Sequence, residues 1–275
     1  MGVFERYLSI WVALCIIGGV ALGNVFPGLP TVLSQWEWNG VNLPIAILIW
    51  AMIFPMMVQI DFSSVRSAGA FGKGLFLTVT VNWLIKPFTM AIIAWFFLGY
   101  LFQDWIAAED ARQYIAGAIL LGVAPCTAMV FVWSYLSGGN ASYTLIQVSV
   151  NDLIILIAFV PLTKLLLGIA NIEIPWNVLL SSVALFVLVP LLAGFAANRY
   201  FLQSKGEAWF KEVFLAKLKP VSIAALLLTL LILFMIQSKA IWANPFPILL
   251  IAIPLTLQTY FIFFLTWFAG RFLGL

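Results

Sequence analysis

The run GVAPCTAMVFVWSYL, Gly122–Leu136, sets Pro125 and Cys126 side by side in the middle of an apolar stretch, with the hydroxyl of Thr127 next to them. A proline inside a helix removes one backbone hydrogen bond and leaves a carbonyl one turn earlier without its usual donor. At membrane depth such broken backbone survives only against protein or a water-filled cavity. Cys126 then reads in two ways. It is a small apolar residue that packs well in a helix, or it is a soft sulfur ligand for a thiophilic centre placed at the break.

A second group of residues sits on the next apolar stretch, 142–168, which carries Asn151 and Asp152 where a lipid-facing helix would have neither. A carboxylate in mid-membrane costs about 2.5–3.5 kcal/mol by insertion scales, so such residues face a cavity or a partner helix and commonly act there. Asp152 is the candidate for proton coupling, and Asn151 its companion or a polar ligand in the same crevice. Lys86, in the run VNWLIKPFTM, is a candidate charge partner for Asp152; the other reading is a side chain snorkelling to an interface. Gln147, Gln258 and Thr259 are weaker cavity candidates. Cys15, in an unbroken apolar run beside Gly18 and Gly19, reads as packing, and the tryptophans and phenylalanines mostly as lipid-facing or interfacial.

The elements that position these residues follow from hydropathy. The 275 residues are 64% hydrophobic and 8% charged, with a mean hydropathy of +1.13. A membrane-crossing helix needs about 20 predominantly apolar residues. The chain offers eight such stretches, at 8–26, 43–60, 74–101, 113–136, 142–168, 177–198, 219–237 and 246–270. The expectation is an all-α polytopic transmembrane bundle forming one domain over 1–275, with no cleaved signal peptide.

The 27–42 loop, the acidic loop after the third stretch and the NIEIPW turn are poor in basic residues. The segment 199–219 is rich in them, and Trp209, Phe210, Val213, Phe214 and Leu218 recur there at helical spacing, which predicts an interfacial amphipathic helix. With the N-terminus inside, the inner segments collect nine basic residues: Arg6, Arg66, Lys73, Arg199, Lys205, Lys211, Lys217, Lys219 and Arg271. The outer loops collect two, Arg112 and Lys239. This bias predicts a cytoplasmic N-terminus in the cell membrane.

Five helices up to residue 168 and a fresh start at 177 suggest two inverted repeats, 1–168 and an incomplete 177–275, as transporters often use. No strong internal sequence repeat supports this. Composition also excludes much. Without a single histidine, a Ser-His-Asp triad, an HExxH zinc site and a His-ligated haem are ruled out within this chain. Two cysteines in separate helices predict no structural disulfide. No basic stripe points to nucleic acid, and no cofactor is called for.

At these residues the sequence becomes recognisable. GVAPCTAMVFVWSYL followed by YTLIQVSVNDLIILIAFVPL resembles the arsenical-resistance arsenite efflux permeases. Their superfamily also holds the bile acid:sodium symporters and riboflavin transporters. The likeness extends over ERYLSIWVALCIIGGVALG, FPMMVQIDF, NWLIKPFTM and IAIPLTLQTYFIFF, essentially the whole length. It implies a ten-helix inverted-repeat fold with broken fourth and ninth helices, and export of arsenite, in some members antimonite, driven by proton entry. It also places the essential fourth-helix cysteine at Cys126. The sequence departs from the pattern after Leu275, where the ninth and tenth helices and their glutamate do not follow.

The reading is therefore a secondary-active transporter, not an enzyme. It exports arsenite through Pro125, Cys126, Thr127 and Asn151, with Cys126 as the ligand of trivalent arsenic and protons as the coupling ion. Its rivals are a sodium-coupled organic-anion symporter of the same fold, a membrane-embedded enzyme, and a non-transporting truncated membrane subunit.

Overall fold

A computed structural model of the chain describes residues 7–38, 41–59, 72–125, 130–172, 175–243 and 245–275. The helices are α1 (Leu8–Val25), α2 (Gly28–Gln35), α3 (Leu43–Val58), α4 (Gly72–Leu101), α5 (Ala108–Val123), α6 (Val130–Leu136), α7 (Ala141–Ile169), α8 (Trp176–Val183), α9 (Val189–Trp209), α10 (Ala216–Ile236), α11 (Ser238–Ala243) and α12 (Pro245–Phe272). Between α2 and α3 the two-residue strands β1 (Glu37–Trp38) and β2 (Val41–Asn42) pair antiparallel, Glu37 opposite Asn42. Asn42 then caps α3 by accepting from Ile45 N–H at 3.2 Å, and its Nδ2 donates to Leu33 O at 2.7 Å. By length and composition α1, α4, α7, α12 and the run Trp176–Ile236 can cross a membrane, and α3 is a shorter apolar helix. The chain is a multi-pass helical membrane protein.

Most of the described residues in the apolar stretches are helical, and the helix ends differ from those read from hydropathy. The fourth stretch starts earlier, at Ala108, so Glu109 and Asp110 fall in the first turn of α5, where negative charge complements the helix dipole. The segment 199–219 is no separate helix. Gly206, with φ 81° and ψ 165°, breaks α9 near its end, and positive φ is open to glycine without steric cost. A π-helical run, Phe210–Leu215, then leads into α10.

The contacts divide the chain into two compact units, residues 1–60 with 185–245, and residues 61–184 with 246–275. In the first unit α10 packs against α1 and α3, and α9 against α3. These contacts are at backbone distance. A Cβ on Gly19 would stand 2.5 Å from Leu231 O, and one on Gly194 would stand 2.7 Å from the Met57 carbonyl carbon. Asn198 Nδ2 donates to Val58 O at 2.7 Å and Ser222 Oγ to Met52 O at 2.8 Å. Cys15 is a free, half-buried thiol on α1.

The second unit is built around α4, whose core of Met90, Ala94 and Leu98 meets Ile115, Ile119 and Val123 of α5 and Leu166 and Leu167 of α7. α4 and α12 run antiparallel beside each other. Lys73 Nζ reaches Leu273 O at one end, Gln258 meets Lys86 and Thr89 at the middle, and the Trp105 ring meets Phe246 at the other end. These two helices share a pattern that the sequence reading overlooked. Pro87, Thr89 and Phe96-Phe97-Leu98 align without a gap on Pro254, Thr256 and Phe263-Phe264-Leu265.

Candidate functional site

The fourth apolar stretch is interrupted where the proline predicts it. α5 ends at Val123, and Ala124 turns extended with φ −77° and ψ 123°. Steric conflict with the Pro125 ring disfavours the α region for the residue before it. The chain is helical again from Val130. Cys126 and Thr127 lie outside the described residues, and Pro125 is half-buried at the edge of the break.

The break is held from α4. Lys86 Nζ donates to the Ala124 carbonyl at 2.9 Å, giving the C-terminal end of α5 both a hydrogen bond and a positive charge against its dipole. One turn earlier on α5, Gly122 lies so close to Met90 that a Cβ would stand 2.6 Å from it. From α12, Gln258 Nε2 donates to Lys86 O at 3.0 Å and to Thr89 Oγ1 at 2.9 Å. The ammonium of Lys86 thus goes to the break.

The return of the chain is set by the SGGN turn. Gly138, at φ +68°, allows Gly139 N–H to reach back to Ser134 O at 2.7 Å, the closing bond of a Schellman cap on α6. Asn140 then caps α7, accepting from Tyr143 N–H at 3.0 Å. The hairpin is pinned by Ser134 Oγ and Thr144 Oγ1, 2.6 Å apart, and α7 is tied to α4 by Tyr143 OH and Thr78 Oγ1 at 2.8 Å.

Two turns further along α7, Asn151 is 3% exposed and Asp152 4%. Asn151 Oδ1 accepts from Trp83 Nε1 at 2.9 Å and Asn82 Nδ2 at 3.2 Å, and its Nδ2 donates to Gln147 O at 2.8 Å. Asp152 Oδ2 is buried with no hydrogen-bond partner among the described residues, as are both amide atoms of Gln147. Unpaired buried polar atoms are rare in folded proteins, because each forgoes the hydrogen bonds it had in water. Thr259 is exposed and its hydroxyl donates to Leu255 O on its own helix. No group of three or more His, Cys, Asp or Glu able to hold a metal ion occurs among the described residues.

The structure therefore brings Lys86, Ala124, Asn151 and Gln258 into one connected region of the second unit. It adds Asn82 and Thr89, to which sequence reasoning gave no role, and Trp83. The available signal was spacing, since Thr78, Asn82 and Lys86 recur every four residues and so share a face of α4. Trp83, 6% exposed and hydrogen-bonded, is one of the tryptophans outside the mostly lipid-facing or interfacial set.

The second unit thus holds a helix break gripped by Lys86 and, on α7, a buried asparagine and carboxylate. The chain belongs to the sodium bile acid symporter family, whose model matches residues 46–244. It is a membrane transporter and not an enzyme. It is 53% identical over 267 residues to the arsenical-resistance protein Acr3 of Alkaliphilus metalliredigens, covering 97% of this chain and 75% of that protein. It is 47% identical over 279 residues to the uncharacterized transporter slr0944 of Synechocystis, covering 98% and 73%. To the arsenical-resistance protein Acr3 of Corynebacterium glutamicum it is 27% identical over 281 residues, covering 98% and 73%. The resemblance read from the Pro125–Cys126 run agrees with these matches.

Proposed function

We propose that this chain exports arsenite across the cell membrane, with its N-terminus in the cytoplasm. The observation that carries the reading is the Lys86-held break at Ala124–Pro125, with Cys126 as the next residue, in a chain half identical to an arsenical-resistance protein. Arsenous acid is neutral and trivalent at arsenic. On meeting Cys126 it forms an arsenic–sulfur bond and loses one arsenic–oxygen bond, and the thiol proton leaves with the hydroxyl as water. One thiol makes this exchange readily reversible. Antimonite is a substrate by the same chemistry. Thr127 and Asn151 complete the polar wall of the site, and protons are the coupling ion, taken up at Asp152.

The alternating exposure such export needs is supported by the relation of α4 to α12. Antiparallel helices carrying the same Pro-x-Thr and Phe-Phe-Leu pattern are what inverted repeats over 1–168 and 177–275 produce. The family's description favours a second reading, sodium-coupled symport of an organic anion. Everted vesicles separate the two. Arsenite accumulation that follows an imposed proton gradient and ignores sodium supports the first reading; accumulation that needs sodium, or none at all, rejects it.

A further inference from the structure

We propose that the connection 199–219 is a docking surface for anionic phospholipid head groups. Arg199, Lys205, Lys211, Lys217 and Lys219 stand there against Glu207 and Glu212, a net of +3. That equals the formal net charge of the whole chain. The remaining eight basic and eight acidic residues cancel. All of the molecule's excess positive charge is concentrated in one short connection.

The fold sorts this segment into two sides. At Gly206 the chain reverses, and the aromatic side chains on either side of the reversal collect together. The Phe201 ring lies 4.5 Å from Phe214 and 5.6 Å from Trp209, Trp209 stacks on Phe214 at 6.0 Å, and Phe210 is 4% exposed. With the aromatic residues turned to the protein, the five basic residues are all exposed. Tyr200, 66% exposed, adds an amphipathic ring of the kind that settles at head-group level. Lys211 is paired with Glu207 at 2.6 Å, which leaves Glu212 as the acidic residue outside that pair. Both ends of the segment continue into apolar helices, α9 and α10, so the charges sit where a bilayer presents its phosphates. Basic clusters next to membrane helices are attracted to anionic lipid by about a fivefold gain in binding per charge. A soluble phosphate ester offers the same oxygens without the surface.

The test needs no transported substrate. The full chain, purified in neutral detergent, is given phosphatidylglycerol or phosphatidylcholine of matched chain length, and retained lipid is counted by native mass spectrometry. Wild type is expected to retain phosphatidylglycerol preferentially, with the preference falling about fivefold for each of Lys205→Gln and Lys217→Gln and unchanged in Lys239→Gln, a basic residue elsewhere. Raised salt should weaken the preference. Equal retention of the two lipids by wild type, or an undiminished preference in the double variant, overturns the proposal. So does full displacement by millimolar glycerol phosphate, which would mark a site for a soluble phosphate. Lys205→Arg should keep the preference, which separates charge from any effect on folding.

Discussion

Gln258 and Lys86 are joined through the main chain: Gln258 Nε2 donates to Lys86 O at 3.0 Å, while Lys86 Nζ donates to Ala124 O at 2.9 Å. One residue of α4 therefore links α12 to the broken end of α5. Such a link explains why a lysine sits within an apolar helix. Its ammonium meets a carbonyl at the point where the helix can no longer supply its own donors.

Lys86→Met should keep the length of the side chain and lose the charge-assisted hydrogen bond, worth about 1.5–3 kcal/mol. The expected outcome is a fall in arsenite export of tenfold or more with the protein still present in the membrane, and partial recovery with Lys86→Arg. Export in everted vesicles, normalised to protein amount, measures it. Full activity of Lys86→Met would show that the break holds its shape without this contact.

The two cysteines should behave oppositely. Cys126→Ser should abolish export, because a hydroxyl is a poor ligand for a soft trivalent centre. Cys15→Ser, half-buried on α1, should leave it within about twofold, since it trades one small side chain for another. Arsenite accumulation in cells lacking other exporters distinguishes them. Normal export by Cys126→Ser would remove the thiol from the mechanism.

Much of this arrangement was legible in sequence because its causes are local. Apolar runs of bilayer length mark the helices, and Pro125 stops α5 by acting on the residue immediately before it. Asn151 and Asp152 stand out because polar residues in such runs need partners. What escaped depends on contacts distant in the chain. Trp83 has the same side chain as the exposed tryptophans, and only its neighbour on α7 gives it a hydrogen bond. Gln258 reaches a carbonyl, which no sequence pattern encodes. The likeness of α4 to α12 is diluted by the apolar residues common to all membrane helices and shows once the two lie side by side. The reversal at Gly206 was missed because the apolar spacing from Trp209 to Leu218 satisfies a helical period by itself.

Asn151 should prove structural as well as functional. Asn151→Leu leaves the Trp83 and Asn82 donors without an acceptor, at about 1–3 kcal/mol each, whereas Asn151→Asp retains the accepting oxygen. The leucine variant should lose several degrees of thermal midpoint in detergent and the aspartate variant fewer. Equal losses would mean that the hydrogen bonds to Asn151 Oδ1 contribute little.

Two glycines offer a paired test of packing. Gly194→Ala places a Cβ at 2.7–2.8 Å from backbone atoms of Met57 and Val58, which cannot yield as a side chain can, and overpacking of this kind costs about 1–3 kcal/mol. Gly117→Ala meets nothing within 4 Å and should be neutral or stabilising by up to about 1 kcal/mol through helix propensity. Thermal unfolding should therefore move down for Gly194→Ala and stay level or move up for Gly117→Ala. A stable Gly194→Ala protein would contradict the close approach of α9 to α3.

The proton coupling proposed at Asp152 can be tested on the side chain itself. Its Oδ2 is buried without a hydrogen-bond partner among the described residues, while its neighbour Asn151 is engaged by Oδ1 with α4 and by Nδ2 with Gln147 of α7. Asp152 Oδ2 can take up and release a proton without breaking a hydrogen bond to the described residues, and intramembrane carboxylates in transporters commonly act in this way. Asp152→Asn keeps the shape and one hydrogen-bonding oxygen and cannot ionise. If Asp152 carries the proton, the variant should still bind arsenite, protecting Cys126 from a thiol reagent as wild type does, yet its transport should no longer respond to an imposed pH gradient. If Asp152 serves packing alone, the amide should preserve the pH response. The measurement is arsenite flux in vesicles with and without the gradient, run beside the thiol-protection assay. A wild-type pH response in Asp152→Asn would assign the coupling proton to another group.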